Sequence, residues 1–153
     1  MITDKNIRRF FKTLSYVLFA ACCGLILWFT IFSRPEATTR HTVLGLFASF
    51  RSLFAGEASG RTEAIQNLIN ILFFIPYGFF FPEKKGGWQA VALYGALFAV
   101  LIEVTQYVFI LGWAEVDDVL SNTIGAVIGF FLWFCLHKLL TKSSAKSHPR
   151  TKR

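Results

Sequence analysis

The chain has 153 residues, of which 54% are hydrophobic and 16% charged, with a mean hydropathy of +0.51 and a formal net charge of +7. Soluble domains run at about 45–50% apolar and about 25% charged, so this composition excludes a soluble globular domain. Eighteen Phe and four Trp, set in long runs almost free of charge, equally exclude a disordered chain, a disulfide scaffold and a nucleic-acid-binding module, and leave an integral membrane protein.

Residues 1–13 form a basic head carrying Lys5, Arg8, Arg9 and Lys12. The first apolar span follows, over about residues 14–33. Within it Phe19-Ala20-Ala21-Cys22 loosely resembles a lipoprotein cleavage box, but the apolar run continues to Ser33, which favours an uncleaved anchor over a signal peptide. Cys22, Cys23 and Cys135 all fall in spans with no redox or metal spacing and read as small buried hydrophobes. In the loop 34–63, Val43, Leu44, Leu46, Phe47, Phe50, Leu53 and Phe54 recur at helical spacing over a stretch too short to cross a bilayer. An amphipathic helix lying in the interface is expected there. The second span, about residues 64–82, contains Pro76, an expected kink, and Pro82, an expected stop. The third, about residues 88–111, is bracketed by Trp88 and Trp113 as interface anchors. The acidic turn Glu115-Val116-Asp117-Asp118 leads into a fourth span, about residues 119–140, and residues 141–153 form a basic polar tail expected to be disordered. The fold class is therefore an all-α membrane protein, a four-transmembrane-helix bundle with an extracytoplasmic interfacial helix between spans 1 and 2; residues 14–140 are its transmembrane domain.

Basic residues gather at the N-terminus, in the Glu83-Lys84-Lys85 loop and in the C-terminal tail, and the positive-inside rule places these in the cytoplasm. Both termini inside requires an even number of crossings, which four satisfies. The loop 34–63 and the acidic turn then face outward. Arg34, Arg40, Arg51 and Arg61 in that outer loop run against the rule, so either they have partners or the topology is reversed.

An ionisable or polar group inside a bilayer is costly and needs a reason. Glu103 and Gln106 share a face of the third span with Ala92, Ala96 and Ala99, a small surface suited to helix packing. Asn67 and Asn70 share a face of the second with Glu63. Asp118, Asn122, Gly125 and Gly129 follow a 4, 3, 4 spacing on the fourth, the last pair being a GxxxG motif. Glu103 lies about 13 Å below the outer mouth, and Asn70 and Asn122 enter from the same side, so three helices place polar groups at one depth. With Asp117 and Asp118 above and arginines in the adjoining loop, a charged pocket opening outward is expected. Blander roles compete: an aspartate as the N-cap of the fourth helix, Asn67 as interhelical glue, and Glu103 paired with an arginine to hold the bundle. No spacing resembles a metal-ligand motif, no Ser-His-Asp, Walker or Rossmann pattern occurs, and no cofactor is expected.

The run Asn70-Ile71-Leu72-Phe73-Phe74-Ile75-Pro76-Tyr77-Gly78-Phe79, then Glu103 with Gln106, then Glu115-Val116-Asp117-Asp118-Val119-Leu120-Ser121-Asn122-Thr123-Ile124-Gly125-Ala126 resembles, in block order, the signature of the VanZ-like family. Thr30-Ile31-Phe32-Ser33-Arg34, Arg40 and Ser49-Phe50-Arg51 are similar to its Gram-positive members, and the resemblance covers about residues 28–131. It implies a small bacterial multi-helix membrane protein, in a family named for a member associated with low-level teicoplanin resistance. Its characteristic polar positions fall on Asn70, Glu103, Gln106, Asp117, Asp118 and Asn122, with Pro76, Gly78 and Gly125 beside them and Arg34 and Arg51 more loosely matched. Many members carry an Arg just before the acidic turn, where this chain reads Gly112-Trp113-Ala114.

Three functions are consistent with this pattern. The first is a cell-envelope protein that binds, or alters the presentation of, an anionic, lipid-linked envelope component at the outer leaflet. Arginines would hold phosphate or carboxylate and the interfacial helix would guide the lipid. The second is an enzyme acting on a lipid-linked substrate, with Glu103 as general base and Asp117 or Asp118 as acid or metal ligand. The third is proton-coupled transport through Glu103, the least favoured because no ionisable residue lies in the cytoplasmic halves of the spans. The expected partners are membrane lipids and that envelope ligand, with no nucleic acid, and no oligomeric state is read from the sequence.

Overall fold

In the computed structural model, residues 4–32, 41–43, 45, 47–82, 84–111 and 113–147 are described. Four long helices dominate: α1 (Asp4–Leu27), α3 (Ala58–Phe80), α4 (Gly87–Phe109) and α5 (Val116–Ser147). A π-helical turn, Trp28–Phe32, extends α1. Between α1 and α3 lie a short strand β1 (His41–Val43) and a short helix α2 (Ala48–Phe54). A second strand, β2 (Trp113–Glu115), joins α4 to α5.

Direction alternates along the chain. The Thr30 carbonyl, just past α1, accepts a hydrogen bond from Gln106 Nε2 near the end of α4. Ser15, early in α1, donates to the carbonyl of Phe80 at the end of α3. Gly125 and Gly129 of α5 meet Ile71 and Ile75 of α3 in the same order, so α3 and α5 run side by side in one direction, and α1 and α4 in the other. The short connections from α3 to α4 and from α4 to α5 produce this alternation, and the longer α1 to α3 segment continues it.

Among the described residues, three segments are long and apolar enough to cross a membrane: Arg9–Ile31, Gly87–Phe109 and Val116–Lys142. The expected second span lies on α3, which has 23 residues like α4 but is not among the three. The physical reason is its N-terminal half, where Ser59, Arg61, Thr62, Glu63, Gln66, Asn67 and Asn70 dilute the apolar run. That helix is also the central one: α5, α2, α1 and α4 all pack on it. Asn67 and Asn70 are buried, whereas Ile65, Leu68, Leu72 and Phe73 form an exposed apolar stripe.

Glycine sets the α3–α5 approach. A Cβ on Gly78 would collide with the Ala126 backbone, and one on Gly125 or Gly129 with the carbonyl oxygens of Ile71 and Ile75. The GxxxG pair read from the sequence thus packs against a neighbouring helix within the chain. Around this contact sits the core, with Phe74, Tyr77, Phe81, Val91, Ala99, Ile102, Ala126 and Phe130 buried. Tyr77 lies at its centre, stacked on Phe98 at 5.5 Å between ring centroids and tilted against Phe19 at 4.9 Å.

Other elements differ from the sequence expectation. The helix expected between the first two spans is shorter: Val43 belongs to a strand, and α2 begins only at Ala48. Val43 pairs with Glu115 in a parallel two-stranded ladder, in the register His41↔Trp113 and Thr42↔Ala114. Trp113, read as an interface anchor, and Glu115, read as part of a turn, are therefore both strand residues. Helix α5 starts at Val116, which puts Asp117 and Asp118 inside its first turn. It runs on to Ser147, past the start of the expected tail, and residues 148–153 lie outside the described residues.

Candidate functional site

The polar residues gather at the end of the bundle where α1 and α4 finish and α5 begins. Among the described residues the buried polar set is Ser49, Asn67, Asn70, Glu103, Gln106, Asp117, Asp118, Ser121 and Asn122. Six of these are positions singled out in the sequence as ligand-binding: Asn70, Glu103, Gln106, Asp117, Asp118 and Asn122. Of the two arginines in that set, Arg51 is exposed on α2, and Arg34 lies outside the described residues, as does Arg40.

Glu103 accepts a hydrogen bond from the backbone N–H of Glu115 at 3.0 Å, Oε2 being the acceptor. A carboxylate on α4 thereby holds β2, and through the ladder β1, against the bundle. Three residues on, Gln106 donates to Thr30, whose own hydroxyl bonds back to the Ile26 carbonyl at 2.7 Å. The π-helical turn around Thr30 departs from the ordinary i to i−4 ladder, and its carbonyl serves Gln106 instead. Gln106 Oε1 is buried and, among the described residues, has no hydrogen-bond partner.

Asp117 does something the sequence did not announce. Its Oδ1 accepts the N–H of Phe47 at 2.7 Å, and its Oδ2 accepts the N–H of Ser49 at 3.1 Å and the Ser49 hydroxyl at 3.0 Å. One aspartate thus supplies acceptors for the start of α2 from a distance of about seventy residues in sequence, and its carboxylate also sits favourably in the first turn of α5. Phe47 is held at φ 58°, a left-handed conformation rare for a bulky residue. Ile110, the C-cap of α4, is the other non-glycine residue at positive φ among the described residues, at 57°. Both strained positions border this polar end. On α2, Ser52 Oγ lies 2.8 Å from Glu63 Oε2 and 3.0 Å from the Ser49 carbonyl, joining α2 to α3. Asn70 Oδ1 accepts from Gln66 Nε2 at 3.2 Å.

The sequence pattern suggested one pocket; at this end of the bundle the described residues line two cavities, on different faces of α5. The first, about 240 Å³, is lined by Thr42, Val100, Glu103, Val104, Tyr107, Ala114, Glu115, Val116 and Val119. The second, about 370 Å³, is bounded by Phe47, Ala64, Asn67, Leu68, Ile71, Asp117, Leu120, Ser121 and Ile124. Helical spacing explains the division: Val116 and Val119 face one way, and Asp117, Leu120, Ser121 and Ile124 the other. Glu103 and Asp117 accordingly belong to different cavities. Asn70, Gln106, Asp118 and Asn122 are buried at the same end but line neither.

Ser49, Ser121 and the backbone N–H of Phe47 are the functional groups that sequence reasoning did not single out. Ser49 and Ser121 do lie inside the resembling blocks. The ladder had no readable signal, since three-residue strands pairing in parallel over such a separation carry no periodicity.

Together, the apolar helices, the exposed apolar surface and the buried polar end define an integral membrane protein. The VanZ/LLP1 family model matches residues 15–137, most of the chain, and the chain belongs to that family. Among curated proteins it is similar to Protein VanZ of Enterococcus faecium, at 24% identity over 125 residues, covering 80% of this chain and 74% of the relative. No solved structure matches it.

Proposed function

We propose that the protein crosses the bacterial cytoplasmic membrane four times with both termini inside, and binds, or alters the presentation of, an anionic lipid-linked envelope component at the outer leaflet. By occupying or screening that component it contributes to glycopeptide resistance of the teicoplanin type. The alternating helix directions support α3 as the remaining span, and its exposed stripe of Ile65, Leu68, Leu72 and Phe73 suits lipid.

One observation carries the binding reading: the cavity at Glu103 has a wall that is also membrane-facing surface. Val100 and Val104 are exposed on α4, Tyr107 is exposed one turn further, and all three line the cavity. An amphiphile lies with its tail along them, its hydroxyl donors at Thr42, Glu115 and Glu103 and its anionic group turned away from these two carboxylates. The arginines of the preceding loop supply the cationic groups that an anionic head needs. In this reading Glu103 is a positioning residue, because it fixes β2 through the Glu115 N–H. Membership of the VanZ/LLP1 family and similarity to Protein VanZ support an envelope role.

An enzymatic reading rests on the same carboxylate, which is buried yet on a cavity wall, the placement a general base requires. The two are separated by expressing wild type and Glu103→Gln at matched membrane levels in a strain lacking the protein, then measuring teicoplanin susceptibility and envelope-lipid composition. Binding predicts unchanged lipids and a graded loss of resistance, since Gln keeps an acceptor for Glu115. Catalysis predicts a lipid species that wild type generates and that falls by about 10²–10⁴-fold in the variant; that outcome overturns binding.

A further inference from the structure

The second cavity has no part in that reading, yet one of the residues lining it carries an unmet hydrogen-bonding group. Asn67 lines it, is 4% exposed, and its buried Nδ2 has no acceptor among the described residues. A buried amide left this way is destabilising and uncommon, and invites an acceptor from outside the chain. We propose that this cavity is a lipid site in which Asn67 Nδ2 donates to the ester carbonyl of a membrane glycerolipid whose acyl chain lies along Leu68, Ile71 and Ile124.

Three features select that occupant. The cavity, at about 370 Å³, falls in the range of about 300–1,000 Å³ typical of small-molecule sites, and is far larger than the roughly 30 Å³ share of one water. Its mouth is apolar, since Phe47, Leu68 and Ile124 line it and are themselves exposed, so entry is from the hydrocarbon phase. Finally, Asp117 shares the wall, and both its oxygens are engaged by Phe47 and Ser49. A phosphate brought to Asn67 would meet a carboxylate, so the acceptor is neutral, and an ester carbonyl is the neutral acceptor that arrives attached to an acyl chain. Ser121, buried on the same wall, adds a second polar group.

The test compares two lipids that differ only in the carbonyl. Full-length protein, delipidated in detergent, is titrated with dipalmitoyl phosphatidylglycerol or with its dihexadecyl diether analogue, and followed by melting temperature and by native mass spectrometry. Wild type should retain the diester about 2- to 10-fold more strongly, the worth of one hydrogen bond, with a matching extra rise in melting temperature. Asn67→Leu, which removes the orphan donor and should fold at least as well as wild type without lipid, should bind both lipids alike. Ala64→Leu, which fills the cavity, should weaken both. Equal binding of the two lipids by wild type, the result for a cavity holding only water or for an acyl site without the hydrogen bond, overturns the proposal. So does an ester preference that survives Asn67→Leu. Neither Glu103 nor the loop arginines enter the measurement, so its failure leaves the envelope-ligand reading standing.

Discussion

Helices α3 and α5 pack on each other more extensively than any other pair, but the two ends of the bundle are held by different chemistry. Towards the C-terminal half of α3, contact is backbone against backbone, with Gly78, Gly125 and Gly129 admitting the neighbour where any Cβ would collide. Aromatic rings from α1, α3 and α4 close around it: Phe19, Tyr77, Phe81 and Phe98. Towards the N-terminal half a cavity opens between the helices beside Asn67 and Ser121, and at this end backbone amides of Phe47, Ser49 and Glu115 donate to the carboxylates of Asp117 and Glu103. In hydrocarbon, helices gain little from the hydrophobic effect and associate through close packing or polar contacts. Here the bundle uses both: glycine contacts join α3 to α5, and hydrogen bonds tie α2 to α5 and β2 to α4.

Which end meets the outside is an all-or-none question. A Cys placed at Ser59, exposed near the start of α3, should be labelled by an impermeant reagent on intact cells, and one at Gly86, exposed at the other end, should not. The reverse pattern would turn the polar end towards the cytoplasm and remove the envelope ligand from the reading of the Glu103 cavity.

The glycine contact should be the more brittle of the two. Gly125→Leu or Gly129→Leu forces a side chain into the Ile71 or Ile75 carbonyl of α3, and should lower stability by about 3 kcal/mol, the upper end of overpacking losses. Gly24→Ala, on a stretch of α1 with nothing within 4 Å, should be neutral or slightly stabilising. Equal effects at the three positions, measured by thermal unfolding in detergent, would show that close approach is not what joins α3 to α5.

At the polar end, Asp117→Ala deprives the N–H groups of Phe47 and Ser49 of their acceptor and should cost about 2–3 kcal/mol. Asp117→Asn keeps one acceptor oxygen and should lose roughly half of that. Faster amide exchange should be confined to α2. If exchange rises equally in α4, the aspartate is holding more than the helix it visibly caps.

The two ends also differed in how much the sequence disclosed. Gly125 and Gly129 were readable because GxxxG is a local pattern whose physical meaning does not depend on the partner. Asn70, Glu103, Gln106, Asp117, Asp118 and Asn122 were readable as buried, since a polar residue in an apolar run must be sequestered. Their partners were not. Nothing local to Asp117 says that it serves Phe47 and Ser49, or that Glu103 holds a strand, because those bonds exist only after distant segments meet. The same holds for the division into two cavities, which depends on how α5 is rotated between α3 and α4. On α3 the same sequestration works on composition: polar residues such as Asn67 and Asn70, buried inside the bundle, lower the mean hydropathy of that helix below that of the three apolar ones.

The smallest expected effect is at the packed end, where one ionisable group caps α3. Lys84 donates to the carbonyls of Gly78 and Phe79, each at 2.9 Å, and its ammonium lies 4.7 Å from the centroid of Trp133 on α5. Terminal helix carbonyls and an indole face both favour a cation. Burial opposes them and pushes the Lys84 pKa down to about 8 from an ordinary value of 10.5. Between those values the unfolded chain carries a proton that the folded protein has released. Stability therefore rises with pH from about 8 to about 10.5, through more protons bound by the unfolded state. Lys84→Met keeps the stem against Trp133 and removes the titration, so the difference in melting temperature between wild type and variant should move in favour of wild type over that interval. Movement the other way would mean that the carbonyls and the indole outweigh burial, making Lys84 a charged cap whose strength is lost as it deprotonates. In that case the packed end, like the polar one, would depend on a charge held at a helix terminus.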